Sequence, residues 1–275
     1  TEVRKPWPRV TVGKVTSAED AVPVELGGDG ALDIVSACEG KTRTLYGHWG
    51  PKDKSRLLDE SAWKTEAFPQ GAGKYLWMFT LPLQIDGLHG VDLVVGTKGS
   101  GGGVGCFYAP DNPRDLAAWK FEVVHEMTWL MSLQAHDING DDAPDVLLSN
   151  RKGEARGIYW LENPRDAGEA GKRLGDWKLN RVDEADLEYM FLARGDLTGD
   201  DRPDVLCAVK GAGLQLLTAP EKVSDKPWKQ TEIPLPDGIG TGKGAAIGDI
   251  DLDGANDIVF SCENAFDAKS GVRWL

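Results

Sequence analysis

One nine-residue frame recurs five times along the chain, at residues 25–33, 84–92, 137–145, 196–204 and 249–257. Each copy ends in Asp followed by a β-branched or apolar run. From final Asp to final Asp (33, 92, 145, 204, 257) the steps are 59, 53, 59 and 53 residues. A unit of this size cannot bury its own apolar face and must stack on its neighbours, so the chain is a repeat protein.

Each repeat reads as four strands, lettered A to D. After every final Asp comes a short buried strand B, such as Leu93-Val94-Val95 or Val205-Leu206-Cys207-Ala208. A polar or Gly-containing turn leads to strand C, which runs into Pro51, Pro110, Pro164 or Pro220. Strand D opens with Trp63, Trp119, Trp177 or Trp228 and alternates polar with apolar residues, as an outer strand with one wet face does. Strand A leads into the next frame. No amphipathic helix of useful length interrupts this pattern, so the expected fold is all-β: a β-propeller of five four-stranded blades in a single domain over residues 1–275. The chain ends after strand C of the fifth unit and begins with Trp7-Pro8-Arg9-Val10-Thr11-Val12, which reads as a lone strand D. Pairing of that N-terminal strand with the last blade closes a ring of five. The alternative is a five-blade segment of a longer, for example seven-bladed, propeller.

The net charge of -13 is not spread evenly. The five frames hold 17 carboxylates and one basic residue, Arg202, a balance of -16, while the remainder has 30 basic and 27 acidic residues, or +3. With neither a basic stripe nor a stacking groove, no nucleic-acid partner is expected. No run of about 18 apolar residues exists, so no membrane insertion is expected either. Thr1 in place of Met suggests a processed or trimmed start. Cys38, Cys106, Cys207 and Cys262 lack CxxC spacing and read as small buried thiols, not zinc ligands.

The fifth frame places Asp249, Asp251, Asp253 and Asp257 at positions 1, 3, 5 and 9, with Gly254 at position 6. Alternate residues of a tight loop can point inward together, and Ca²⁺ takes six to eight such oxygens. Four carboxylates in one loop repel each other without a cation. The third frame keeps Asp137, Asn139, Asp141 and Asp145, and the fourth keeps Asp196, Thr198, Asp200 and Asp204. In the first frame Gly27 replaces the position-3 ligand, with Glu25, Asp29 and Asp33 retained. In the second, Gln84 and Leu88 replace ligands and Asp86 and Asp92 remain, so metal is not expected in either. The competing account is that the Asp side chains cap turn N–H groups without metal.

These Asp-rich turns followed by strand B resemble the FG-GAP and VCBS repeats of integrin-α-like β-propellers over nearly the whole chain, the fifth frame most specifically. The resemblance implies structural calcium in the A-to-B turns and an extracellular or periplasmic setting.

In an antiparallel meander successive turns lie at opposite ends, so a ligand face is expected opposite the metal turns. Six residues after each final Asp stand Glu39, Lys98, Arg151, Lys210 and Glu263, all charged. Lys41, Arg43, Lys152, Arg156 and Lys243 lie near them in sequence, and the D-to-A links add Tyr75, Trp77, Trp129 and Tyr189, aromatic rings able to stack on a sugar. Met78, Met131 and Met190 share one register and read as core filler. The function expected is a binding module for carbohydrate, including anionic carbohydrate, or for a protein. The alternative is a polysaccharide lyase or glycoside hydrolase using Glu39 and Glu263, neighbours if the ring closes, as an acid/base pair. A ring of salt bridges locking the blades would leave the same pattern. None of His48, His89, His125 and His136 falls in the charged set, no nucleophile or phosphate-binding motif occurs, and Gly99 to Gly103 reads as a flexible turn.

Overall fold

The computed structural model describes residues 5–164, 177–223 and 228–275. The chain is all-β and forms five separate antiparallel sheets. Sheet 1 comprises β1 (Ala18–Val24), β2 (Asp33–Cys38), β3 (Thr44–Trp49) and β4 (Lys64–Ala67). Sheet 2 comprises β5 (Leu76–Leu83), β6 (Asp92–Lys98), β7 (Gly103–Tyr108) and β8 (Lys120–Glu126). In sheet 3 are β9 (Leu130–His136), β10 (Asp145–Asn150), β11 (Gly157–Glu162) and β12 (Lys178–Arg181). In sheet 4 are β13 (Tyr189–Gly195), β14 (Asp204–Val209), β15 (Leu214–Thr218) and β16 (Lys229–Ile233). Sheet 5 has three strands: β17 (Thr241–Gly248), β18 (Asp257–Glu263) and β19 (Val272–Trp274). Strand order in every sheet is A-B-C-D as the frame predicts, sheet 5 ending at C. The described residues fall into two compact units, one holding sheets 1 and 2 and the other sheets 3 to 5.

One expectation fails. Residues 7–12 form no strand, and Trp7 is 72% exposed. Pro6 and Pro8 explain it: prolines two apart remove two successive donors from the same edge, which leaves that edge unable to pair. The segment instead leads onto sheet 1, where the Thr65 hydroxyl donates to the Val12 carbonyl at 3.4 Å.

Each nine-residue frame is the A-to-B turn. In every sheet the residue preceding the frame pairs with its final Asp: Val24 with Asp33, Leu83 with Asp92, His136 with Asp145, Gly195 with Asp204 and Gly248 with Asp257. Positive φ occurs at frame positions 4 and 6 in all five turns. Position 4 is Gly28, Gly87, Gly140 or Gly199 in four of them and Leu252 (φ 66°) in the fifth. Position 6 is Gly only in the first and fifth, and His89, Asp142 or Asp201 elsewhere.

The final Asp is the residue that fixes this end of the sheet. In each of the first four frames it is fully buried. Its Oδ2 accepts the N–H of frame position 2 in every turn, from Leu26 (3.2 Å), Ile85 (2.8 Å), Ile138 (3.0 Å), Leu197 (3.0 Å) and Ile250 (2.8 Å). In sheets 1 to 3 its Oδ1 accepts the first N–H past strand C, from Gly50, Ala109 and Asn163, each at 2.8 Å. One carboxylate therefore joins A, B and C. Burial drives the carboxyls of Asp92 and Asp145 up to about 6 against the pull of these backbone bonds, and that of Asp33 upward as well.

Above this ladder the core is aromatic in the first unit, with Phe68 and Phe107 at 5.4 Å edge-on and Trp77 and Phe107 at 5.8 Å. Met78, Met131 and Met190 are buried filler as expected. Two of the tryptophans opening strand D hold the C-to-D loop: Trp63 Nε1 donates to the Leu57 carbonyl at 3.1 Å and Trp119 Nε1 to the Pro113 carbonyl at 2.8 Å.

Replacing Asp92 by Asn turns a donor toward a backbone N–H, and should cost about 1–3 kcal/mol in denaturant unfolding at neutral pH. The raised carboxyl means that the native state binds a proton the unfolded chain does not. Its contribution is therefore complete near pH 4 and is lost as pH rises through about 6. The stability difference between wild type and Asp92→Asn should widen as pH falls from 7 to 4, and a difference independent of pH overturns this account.

Candidate functional site

The five A-to-B turns share a shape but differ in what fills them. In the fifth, Asp249, Asp251 and Asp257 bring ligand oxygens within 4.8 Å of one another, the one such acidic group among the described residues. Two Ca–O bonds of about 2.4 Å span about that distance, so the spacing of these three carboxylates is compatible with one calcium ion. In the third and fourth turns the position-1 carboxylates accept backbone N–H groups, as Asp249 of the fifth does from Asp253 (3.1 Å) and Gly254 (3.0 Å). Asp137 accepts from Gly140 (2.7 Å), Asp141 (3.1 Å) and Asp142 (2.9 Å), and Asp196 accepts from Thr198, Gly199, Asp200 and Asp201. Asn139 Nδ2 also donates to Asp141 Oδ2 at 2.9 Å, and the Arg202 guanidinium lies on Asp200.

The first two turns hold internal substitutes for a cation. Arg114 reaches back from the C-to-D loop of sheet 2 to Asp29 at 2.8 Å. A Cβ on Gly27, the missing position-3 residue, would lie 3.1 Å from Arg114 Nε and 3.3 Å from both its other nitrogen and Asp33 Oδ2. The guanidinium thus stands in the middle of the turn. Lys52 adds a second charge on Asp29 at 3.5 Å. In the second turn the Gln84 side-chain amide donates to the carbonyls of Leu88 (2.9 Å) and Gly90 (2.6 Å), while its oxygen accepts from Gly87 (2.9 Å). These two turns do not fit a metal.

At the opposite end, the first unit pairs its charges. Glu39 follows β2 and Lys98 ends β6, and the two form an ion pair between neighbouring sheets, both largely covered. Burial works to raise the Glu39 carboxyl, but the bonds from Lys98 and Glu19 and the Lys98 charge outweigh it and hold it below its usual range. Glu19 reaches this group because β1 shifts register between Ala18 and Asp20, turning one extra residue toward it. Lys41 is exposed beside them, and Arg43 donates to the Gly40 carbonyl at 3.2 Å. Trp77 does not belong to this face: it is fully buried in the core, its indole N–H donating to the Arg43 carbonyl at 3.2 Å.

The second unit gathers more. Arg151 pairs with Glu188 at 2.9 Å, and Lys243 pairs with Glu263 at 3.1 Å. The bond to Lys243, with the charges of Lys243, Lys210 and Arg151, holds the Glu263 carboxyl low; Glu188 is held low by Arg151, Lys152 and Lys210. Arg156 adds a pair with Asp186. Lys243 is again the extra residue of a register shift, between Gly242 and Gly244. Trp129, half-buried, carries Lys152 Nζ 4.4 Å from its ring centre and Arg151 at 5.8 Å. Lys152 and Lys210 have no carboxylate within ion-pair distance among the described residues. Tyr189, expected here, is fully buried and bonds Gln230 through its hydroxyl at 3.0 Å.

Glu39 lies in the first unit and Glu263 in the second, and each is held ionised by its own lysine. Sequence reasoning passed over Glu188, although it immediately precedes the singled-out Tyr189. It also passed over Arg114, which contacts a turn 85 residues away and gave no local signal.

Comparison of the sequence with protein-family models and with curated proteins finds no match. The structure aligns with an alpha-L-arabinofuranosidase from Lactobacillus brevis at TM-score 0.47 and 12% identity, over 94% of this chain and 90% of that one. A likeness at that level assigns no residue a role.

The Glu39–Lys98 pair is testable by a double-mutant cycle. Glu39→Gln and Lys98→Met should each cost about 1 kcal/mol, and the double variant little more than either alone. Fully additive losses show that the pair does not hold the two sheets together.

Proposed function

We propose that the five sheets are blades of a calcium-stabilised β-propeller of the FG-GAP/VCBS kind, acting outside the cytoplasm as a module that binds anionic carbohydrate. The observation that supports the binding reading is the basic cluster of the second unit. Arg151 and Lys152 lie on the Trp129 ring, and with Lys210 and Lys243 they share Glu188 and Glu263, which neutralise only part of their charge. An aromatic ring edged by ammonium groups takes a sugar ring on its apolar face and a carboxylate or sulfate at its rim. Lys41, Glu39 and Lys98 extend the same chemistry in the first unit. A protein partner with an acidic surface is the competing occupant.

The calcium reading rests on the fifth turn. Asp249, Asp251, Asp253 and Asp257 would hold the ion, and it would relieve the repulsion between carboxylates the turn brings together. Extracellular calcium modules bind at about 10⁻⁴–10⁻³ M, a concentration found outside cells, so a site of four carboxylates on an exposed turn suits that setting.

Two measurements test these parts separately. Calcium at about 100 times its Kd should raise the melting temperature by about 5–10 °C over chelator. Asp251→Asn should abolish that rise, whereas Arg114→Met should lower stability equally with and without calcium. A melting temperature indifferent to chelator removes the metal. For binding, oligogalacturonate should bind and neutral maltooligosaccharide should not, with Trp129→Ala or Lys152→Ala weakening binding about tenfold. Undiminished binding by both variants moves the site elsewhere.

A further inference from the structure

Asn150, the last residue of β10, is fully buried five residues after the final Asp of its frame. At that place the other sheets hold Cys38, Thr97, Val209 and Cys262. Burying a side-chain amide is costly unless its oxygen and both its N–H groups find partners, and here all do. Asn150 Oδ1 accepts the Trp129 N–H at 2.8 Å, while Nδ2 donates to the carbonyls of Ala155 at 2.7 Å and Lys152 at 3.1 Å. An N–H on one side and two carbonyls on the other admit one orientation of the amide.

The fold does not call for this residue. Sheets 1, 4 and 5 keep the same A-B-C strand order with a thiol or Val209 in its place. Turn length does not call for it either: residues 151–156 join β10 to β11, and the longer turn of sheet 5, residues 264–271, follows a strand with Cys262 there. Thr97 of sheet 2 stays within its own turn, accepting the Gly103 N–H at 2.7 Å and donating to the Gly103 carbonyl at 3.2 Å. Asn150 instead joins the D-to-A link to the B-to-C turn, and neither a thiol nor a valine can make that three-bond join.

What the join holds is the aromatic and the cation of the basic cluster. The Trp129 N–H rests on Asn150, and the Trp129 carbonyl accepts the Arg151 N–H at 2.8 Å. The Lys152 carbonyl accepts from Asn150 and also from the Thr128 hydroxyl. With both backbones tied to one buried amide, Lys152 Nζ lies over the Trp129 ring, 4.4 Å from its centre. Immobilising a long side chain is part of what binding costs, so a lysine placed in advance spares a ligand that cost.

We propose that Asn150 is the positioning residue of the anion site: buried and out of reach of any ligand, it sets Lys152 against Trp129 before a ligand arrives. The inference rests on the reading of the basic cluster as a site for anionic carbohydrate, and deepens it by naming the two residues that act there as one unit and the amide that makes them so.

The test is Asn150→Val in the full chain, since sheet 4 has Val209 at this place and folds around it. In the wild type the Trp129 ring current should shift the Lys152 ε-methylene protons upfield in NMR, and in the variant that shift should fall toward the value of free lysine. Oligogalacturonate should bind Asn150→Val about three- to tenfold more weakly, measured well below the melting temperature of the variant. On a Lys152→Ala background the same substitution should cost little further affinity. An unchanged Lys152 shift, an unchanged affinity, or an equal loss on the Lys152→Ala background overturns the proposal, the last being what an asparagine with a merely structural role gives. If the wild type binds no oligogalacturonate, the carbohydrate reading falls and the Lys152 shift decides alone: its collapse in the variant upholds Asn150 as the residue that sets the pair, and its persistence overturns it. Should Asn150→Val not fold, Asn150→Thr, from sheet 2, takes its place, because one hydroxyl cannot make three bonds.

Discussion

A carboxylate buried at the first residue of strand B, in four of the five sheets, is the interaction on which the rest of the structure depends. Burying an anion is costly unless its lone pairs are met, and here they are met by backbone N–H groups from two different directions. Through Asp33, Asp92 and Asp145 the turn leaving strand A and the chain leaving strand C are tied to one point on strand B. The turn is therefore shaped by the protein itself, and a cation is an addition to the turn, not its cause.

That independence explains how five turns of one shape can carry five different interiors. Once the staple and the two positive-φ positions are set, the middle of the turn needs only something that neutralises or hydrogen-bonds inward-facing oxygens. Arg114 does this as a long-range guanidinium, Gln84 as a local amide, Asn139 and Arg202 in part, and the fifth turn leaves three carboxylates facing one another. Each substitution follows from a missing ligand in the frame. Gly27 leaves room for Arg114, and an amide at position 1 itself donates to the carbonyls that a metal would have drawn together.

The strands, their order within each sheet and the identity of the turns were legible because a constant spacing leaves one register that puts every final Asp at the same place. What stayed hidden depended on contacts that sequence spacing does not encode. Trp77 and Tyr189 carry the polar handles of ligand-stacking residues, yet the register shifts beside them in β5 and β13 accompany their full burial. Residues 7–12 alternate as a strand should, but Pro6 and Pro8 fall on the same edge. Position 6 of the fifth frame drew attention to glycine there, whereas position 4 is the more demanding site in four turns of five. Leu252 holds it in the fifth at 85% exposure, where no packing contact offsets the left-handed backbone.

Charge counts point to one end of the molecule as the ligand face, and charge pairing qualifies that. Glu39 with Lys98, Arg151 with Glu188 and Lys243 with Glu263 have each spent most of their field on a partner, and what remains for a ligand is the residue of that sum, Lys152 and Lys210. The number of charges at a surface thus measures how tightly it can be locked. Its capacity to hold something else is measured by the groups left over, and by that criterion Lys152 counts for more than the paired residues whose regular spacing made them conspicuous.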